Sequence, residues 1–252
     1  MRVRCEPRAR APRRPRLASM TRIDQARILV VGATGALGTS IARRLADRGA
    51  RLVLHGRDAS RLADGPAHVA AVAVDLTDAD APEAIVERAV EALGGLDAIV
   101  MAAGVVGFDG VAETAREDLE TLFTVNALAP MRIISVALPS LRESASEGNQ
   151  PVVLTISGIV SELPTAGLAS YSASKAALAA YVAAAGRELR RSGIRLVDAR
   201  PGHTETGLAE RPLFGTPPRF PRGHDPAAVA DRLVRAIEDG ATALPPDAFT
   251  GA

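Results

Sequence analysis

Tyr171 and Lys175 stand four residues apart in the stretch Tyr171-Ser-Ala-Ser-Lys175. On a helix that spacing puts both side chains on one face. An ammonium beside a phenol favours the phenolate and lowers its pKa from about 10, which suits a tyrosine that trades a proton with a substrate oxygen. A half-buried tyrosine and a surface lysine on an amphipathic helix would show the same spacing. Composition speaks against that alternative. Of the 30 basic residues, Lys175 is the only lysine, which implies that arginine could not substitute there. The chain also has just two asparagines, Asn126 and Asn149, and two tyrosines.

A second constellation follows Val31. Gly32, Gly35 and Gly38 form a G-x-x-G-x-x-G turn that opens a helix. Glycines there let the backbone approach a pyrophosphate lying among the free N–H groups of the helix N-terminus. Gly32, Thr34, Gly35, Ala36, Leu37 and Gly38 are the candidate cofactor contacts. The next apolar run ends His55-Gly-Arg57-Asp58. An acid at that point holds a ribose 2′-OH, whereas an arginine takes a 2′-phosphate. Arg57 therefore favours NADP(H) over NAD(H), although Arg57-Asp58 also reads as a solvated pair with Asp58 capping a helix. Asp75, before Leu76, is either an adenine contact or a turn cap.

These residues need elements to hold them. Strand-like runs at Arg27–Val31, Arg51–His55, Val69–Val74, Ala98–Met101, Pro151–Ile156, Ile194–Ala199 and Thr242–Leu244 alternate with helical ones at Ala36–Arg48, Pro82–Leu93, Ala112–Glu143 (bent near Pro130), Tyr171–Arg191 and Pro226–Glu238. The pattern predicts an α/β, doubly wound parallel sheet with helices on both faces. Its strands are almost wholly apolar, as burial on both faces requires. Residues 207–225 are rich in Pro, Gly and Arg without periodicity, and such long connections are often lids. This one offers Phe214 and Phe220 beside Arg211, Arg219 and Arg222, a combination suited to an apolar substrate with an acidic end.

The 252 residues fit one α/β domain, here 23–252, and 47% apolar content with 3% aromatic predicts a core of Ala, Val, Leu and Ile. No apolar run reaches bilayer length. Residues 1–22 read as a disordered Arg/Pro-rich tail: seven arginines and one glutamate in the first nineteen residues set against +1 for the whole chain. The tail lacks the apolar stretch of a secretory signal, nucleic-acid binding is a distant reading of it, and Met20 is an alternative start. The lone Cys5 excludes an intrachain disulfide and fits a reducing cytoplasm. His55, His68, His203 and His224 have no metal-ligand spacing, so no metal is expected.

Taken in order, the glycine turn, Asp75-Leu76, Ala102-Ala103-Gly104, Asn126, Tyr171-Ser-Ala-Ser-Lys175 and Pro201-Gly-His-Thr-Glu-Thr206 resemble the short-chain dehydrogenase/reductase superfamily, nearest its reductase-like members, over about residues 25–245. The resemblance implies a Rossmann-type sheet of about seven strands and an oxidoreductase that moves hydride between a nicotinamide and a carbonyl or alcohol. It implies Tyr171 as general acid/base, Lys175 on the nicotinamide ribose, Asn126 anchoring a relay water, Ala103 and Gly104 beside the cofactor, and Pro201, Gly202, Thr204 and Thr206 lining the nicotinamide. It also implies a homodimer or homotetramer built through the long helices, a small-molecule substrate, and neither nucleic acid nor membrane as partner.

Three positions depart from the pattern. The second glycine of the turn is Gly35 rather than residue 36, Met101-Ala-Ala-Gly104 lacks the usual asparagines, and the catalytic serine, about thirteen residues before the tyrosine, falls on Gly158. Ser157 is then the expected carbonyl donor, with Ser161 in reserve; a one-residue offset on a strand turns a side chain to the other face. The competing reading is a non-catalytic NADP-binding sensor or interaction protein, which would bind cofactor without turning over.

Overall fold

Side-chain alternation along each strand decides which helices cover which face of the sheet. The computed structural model describes residues 21–108 and 110–252; most of the expected tail, with Cys5, lies outside them. Seven strands, β1 Arg27–Val31, β2 Arg51–Gly56, β3 Ala70–Ala73, β4 Ala98–Met101, β5 Val152–Ile156, β6 Arg195–Ala199 and β7 Ala243–Leu244, make one sheet in the order β3-β2-β1-β4-β5-β6-β7. Every pairing is parallel, so this is the doubly wound Rossmann-type sheet that the alternation predicts. The helices are α1 Ala36–Ala46, α2 Ala59–Ala63, α3 Ala81–Leu93, α4 Arg116–Phe123, α5 Ala129–Ser146, α6 Ala169–Leu189 and α7 Pro226–Glu238.

In β1, Ile28 and Val30 join Ile41 and Leu45 of α1 and Leu233 and Ile237 of α7 in one core layer. Their neighbours Leu29 and Val31 join Ile85 of α3, Ile133 of α5 and Leu178 of α6 in the other. A period of two on the strands is thereby matched to two helical layers. Strand order reverses between β1 and β4, so the crevice beyond their carboxyl ends is where this architecture takes a ligand.

The expected long helix over 112–143 is divided. α4 and α5 are joined by a π-helical turn, Thr124–Leu128, which contains the buried Asn126. Pro130 lies in the first turn of α5 and lacks the N–H that a helix would present to the Asn126 carbonyl, which favours a widened turn there. Together Arg116–Ser146 contains an 18-residue window of mean hydropathy 1.5, long and apolar enough to cross a bilayer, contrary to the expectation that no stretch would be. Half of that window is buried inside the fold, as in a core helix. Thr21, assigned above to the tail, is buried: its hydroxyl donates to the Gln150 carbonyl and accepts from Arg195.

At the amino ends of the strands an ionic cluster ties the sheet together. Asp97 accepts from the Arg27 backbone N–H at 2.8 Å, from its guanidinium at 2.8 and 3.0 Å, from Ser144 at 2.6 Å and from Asn149 at 3.2 Å. Burial alone would raise the Asp97 carboxyl, but these donors, Arg27 first, hold it below the ordinary carboxylate range. A depressed pKa contributes stability above the unfolded value of about 4, and that stability is lost as pH falls through the folded one. Asp97→Ala should cost about 3 kcal/mol. Melting followed from pH 7 to pH 3 should show a smaller acid loss in the variant than in the wild type.

Candidate active site

Between β1 and α1 the chain passes very close to the end of β4. Gly32 has φ +84°, and a Cβ on it would lie 2.4 Å from the Ala103 backbone nitrogen. A Cβ on Gly38 would lie 2.1 Å from the Gly32 carbonyl. Both glycines are therefore required by contact, Gly32 also by conformation. Gly35 caps α1 without any side-chain hydrogen bond, so the first-turn N–H groups have no capping side chain to satisfy them. The backbone approach and these donors fit a dinucleotide pyrophosphate. Gly35, rather than residue 36, serves as the cap, which is how the shifted glycine is accommodated.

Around this turn the structure assembles more positive charge than the sequence motif announced. A groove of about 800 Å³ is lined by Thr34, Ala36, Arg43, Arg61, Gly207 and Arg211 among others. Arg61, in α2, donates to the Thr34 carbonyl at 2.5 Å. The signal for Arg61 was the Asp58 cap: the Asp58 carboxylate accepts from the Ser60 and Arg61 backbone N–H groups and starts α2. Arg57 is solvent-exposed and lies 3.7 Å from Asp75. The Asp75 carboxylate accepts from the Thr77 N–H and hydroxyl at 3.0 and 2.9 Å, the turn-capping geometry. Leu76 beside it is buried.

Lys175 and Tyr171 sit on α6 where it crosses the carboxyl end of the sheet. The buried Lys175 ammonium donates to the Ile156 carbonyl at 2.9 Å and lies 6.0 Å from the Tyr171 ring centre. A Cβ on Gly104 would meet Lys175 Nζ at 3.3 Å and Asn126 Oδ1 at 3.4 Å, so glycine leaves room for both. Asn126 accepts from the Val105 N–H and donates to the Val105 carbonyl, each at 2.9 Å, and donates to Ser174 at 3.1 Å. The structure thus brings Lys175 and Asn126 together at Gly104, with the Tyr171 ring 6.0 Å from the Lys175 ammonium. Tyr171 packs in a small apolar cluster with Val106, Phe108, Val160, Leu168 and Leu208. Burial in it pushes the phenol up to about 12, and burial takes Lys175 down to about 8, with the Asp198 charge opposing. The lowered tyrosine pKa expected from the spacing is not what the protein alone produces, because dehydration of the phenolate outweighs the ammonium.

Ser157 is where the expectation fails. It is fully buried, and its hydroxyl donates to Asp198 Oδ2 at 2.7 Å, with Ser161 Oγ at 3.2 Å. Ser161 donates to the Gly158 carbonyl at 2.7 Å. Alternation explains the result. Thr155 of β5 and Ser157, just past its end, are two apart and both reach Asp198 of β6, with which Thr155 pairs in register. Neither serine is left as a ready carbonyl donor. Gly158, which occupies the expected serine position, has φ +75°, and a Cβ on it would have no atom nearer than 3.7 Å. Space is open there, but the conformation disfavours a side chain.

Asp198 itself was missed, although a carboxylate inside the apolar run Arg195-Leu-Val-Asp-Ala199 was the visible signal. The segment 207–225 is tied down by backbone bonds: Phe108 N–H to the Phe214 carbonyl at 3.0 Å, and Leu213 N–H to the Val106 carbonyl at 2.8 Å. Phe220 stacks on His203 at 4.6 Å and tilts against Phe108 at 5.9 Å. Three of the chain's five phenylalanines thus gather around Phe108, which shares the apolar cluster of Tyr171. Beyond β6, Pro201 accepts from the Ile159 N–H and Thr204 donates to the Gly202 carbonyl at 3.0 Å, while Thr206 lies in the same loop.

Known proteins share this fold and much of its sequence pattern. A family model described as short chain dehydrogenase matches residues 26–212. An uncharacterized oxidoreductase of Staphylococcus saprophyticus is 31% identical over 219 residues, covering 83% of this chain and 90% of the relative. A 3-ketoacyl-(acyl-carrier-protein) reductase from Brucella melitensis, solved with NADH, superposes with a TM-score of 0.80 at 25% identity over 88% of this chain and 97% of its own. A short chain dehydrogenase from Burkholderia cenocepacia, solved with NADP, gives 0.76 at 25% identity over 92% and 100%.

Asn126→Ala leaves the Val105 N–H and carbonyl without their partner. The expected cost is about 2 kcal/mol, read by calorimetry as a melting point roughly 4–8 °C lower.

Proposed function

This chain belongs to the short-chain dehydrogenase family, and we propose that within it the protein is an NADP(H)-dependent, ketoreductase-like enzyme acting on a small carbonyl or alcohol substrate. The observation that carries this reading is the meeting of Lys175 and Asn126 at Gly104, with Tyr171 beside Lys175, directly past the sheet end that the glycine turn approaches. Membership makes the chain an oxidoreductase of CH–OH and C=O groups that uses a nicotinamide cofactor.

In this reading Gly32, Thr34, Gly35, Ala36, Leu37 and Gly38 hold the pyrophosphate, Asp75 and Leu76 flank the adenine, and Ala103 and Gly104 lie beside the cofactor. Pro201, Gly202, Thr204 and Thr206 line the nicotinamide. Arg57, joined by Arg61, receives a 2′-phosphate, which is the basis for preferring NADP(H); the two cofactor-bound relatives, one with NADH and one with NADP, leave that choice to this chain's own charges. The cofactor supplies or accepts the hydride. The protein's part is to orient and to move a proton. The Tyr171 hydroxyl gives its proton to the substrate oxygen during reduction, or takes it during oxidation, and the charged Lys175 offsets the phenolate left behind. Asn126 fixes the Val105 backbone beside them and anchors the relay water. Segment 207–225 is the lid, which keeps water from Tyr171. A homodimer or homotetramer in a reducing cytoplasm completes the reading, supported by the exposed Leu119 and Leu128 on the α4–α5 run and the single cysteine.

The occupied hydroxyls of Ser157 and Ser161 favour the other reading, a cofactor-binding protein without turnover. NADPH and NADH oxidation over a panel of ketones and aldehydes separates the two. We expect NADPH-dependent reduction, and a Tyr171→Phe variant with kcat/KM down about 10³-fold but NADPH affinity within about twofold of wild type. Tight NADPH binding with no turnover across the panel would identify a sensor.

A further inference from the structure

Asp198 is a carboxylate placed where the fold otherwise puts apolar groups. In β6 it follows Leu196 on the face covered by α6. Its side chain is 11% exposed. Oδ2 accepts from Ser157 at 2.7 Å and Oδ1 from Thr155 at 3.0 Å, both from β5. From its own strand end Arg200 Nε stands 3.7 Å away, and the Arg200 guanidinium is itself shared with Glu162. On α6 the buried Lys175 ammonium bonds the carbonyl of Ile156, the residue between the two hydroxyl residues that hold Asp198, and the Asp198 charge favours it. The other groups at Lys175 are neutral: the Ile156 carbonyl, the Tyr171 ring and, across Gly104, Asn126.

A buried carboxylate with no role is expensive to keep. A buried ammonium with no counter-charge loses its proton. Each answers the other here, and the two β5 hydroxyls supply the hydrogen bonds that let the carboxylate stay ionised. We infer that Asp198 is a positioning residue of this site, a buried counter-ion, held by Thr155 and Ser157, that keeps Lys175 protonated beside Tyr171. Ser157 then serves by orienting Asp198 instead of touching substrate. This assignment rests on the proposed role of Lys175, but its charge coupling does not depend on the enzyme having been given a substrate. Burial works against both groups, raising the Asp198 carboxyl and lowering the Lys175 ammonium, with the partner charge opposing in each case.

The composition provides an unusually direct test, because a chain with one lysine gives one lysine side-chain signal. In protein labelled with ¹³C-lysine, the Lys175 Cε shift is followed from pH 4 to pH 11 in wild type and in Asp198→Asn, a substitution close in shape that removes the charge. The midpoint should fall by at least about half a pH unit in the variant. Where the protein turns over a ketone, the basic limb of kcat/KM should move down with it, because the ammonium is charged only below its midpoint. An unchanged lysine midpoint in folded Asp198→Asn overturns the proposal. Loss of turnover in wild type with the lysine shift intact overturns the enzymatic reading alone. Should the variant fail to fold, the wild-type Lys175 signal decides: it should carry a second, acid inflection above the ordinary carboxylate range of about pH 4, and a curve with no such inflection refutes the pairing. Ser157→Ala adds a separate check. The acid inflection on the Lys175 signal should move to higher pH, because a donor that favours the Asp198 carboxylate is gone, and an unmoved inflection in the folded variant would overturn the role given to the serine.

Discussion

A single ammonium buried at the carboxyl edge of a parallel sheet constrains everything around it. Lys175 has to be reached by a carbonyl, which the last residue of β5 provides. It needs a gap beside it, which Gly104 leaves. It also needs a helix that crosses the strand ends at the right height, and α6 does so because Leu178 and Val182, lower on the helix, are packed into the sheet's second core layer. Dehydration sets the local energetics. The same apolar surroundings that hold water away from Tyr171 make a phenolate costly, so the tyrosine depends on positive charge being kept close at hand.

The sheet has two ends with opposite characters. At the amino end Arg27, Asp97, Ser144, Asn149 and Glu147 form a closed set of donors and acceptors. At the carboxyl end glycines, a π-helical turn and a widened connection leave backbone groups and space available. Rigidity at one end is what allows openness at the other, since ligand contacts at strand ends are useful only when the strands themselves do not slide.

Much of this was legible from residue order. β1, β4 and α7 begin and end where apolar periodicity and the flanking Asp and Pro said they would. The Tyr171–Lys175 face and the glycine approach at Gly32 are local patterns that the fold preserves. What was not legible depends on depth and direction. Periodicity does not distinguish a continuous helix from two helices joined by a π turn, so the position of Asn126 in that turn was invisible. The aim of Ser157 depends on which strand lies beside β5 and in what register, and only the pairing of Thr155 with Asp198 fixes it. The sign of the tyrosine shift was misjudged because spacing reveals a neighbouring charge but not how dry the neighbourhood is.

The connection over Tyr171 is held through main-chain atoms, with 213–215 bonded to 106–108 as if adding a short parallel rung beyond the sheet. Backbone pairing is indifferent to side-chain identity. Phe108, Leu213, Phe214 and Phe220 can therefore be exchanged for other apolar residues while the 213–215 rung stays fastened to 106–108. The fastening of this connection and the identity of the apolar groups it carries are separable properties in this molecule.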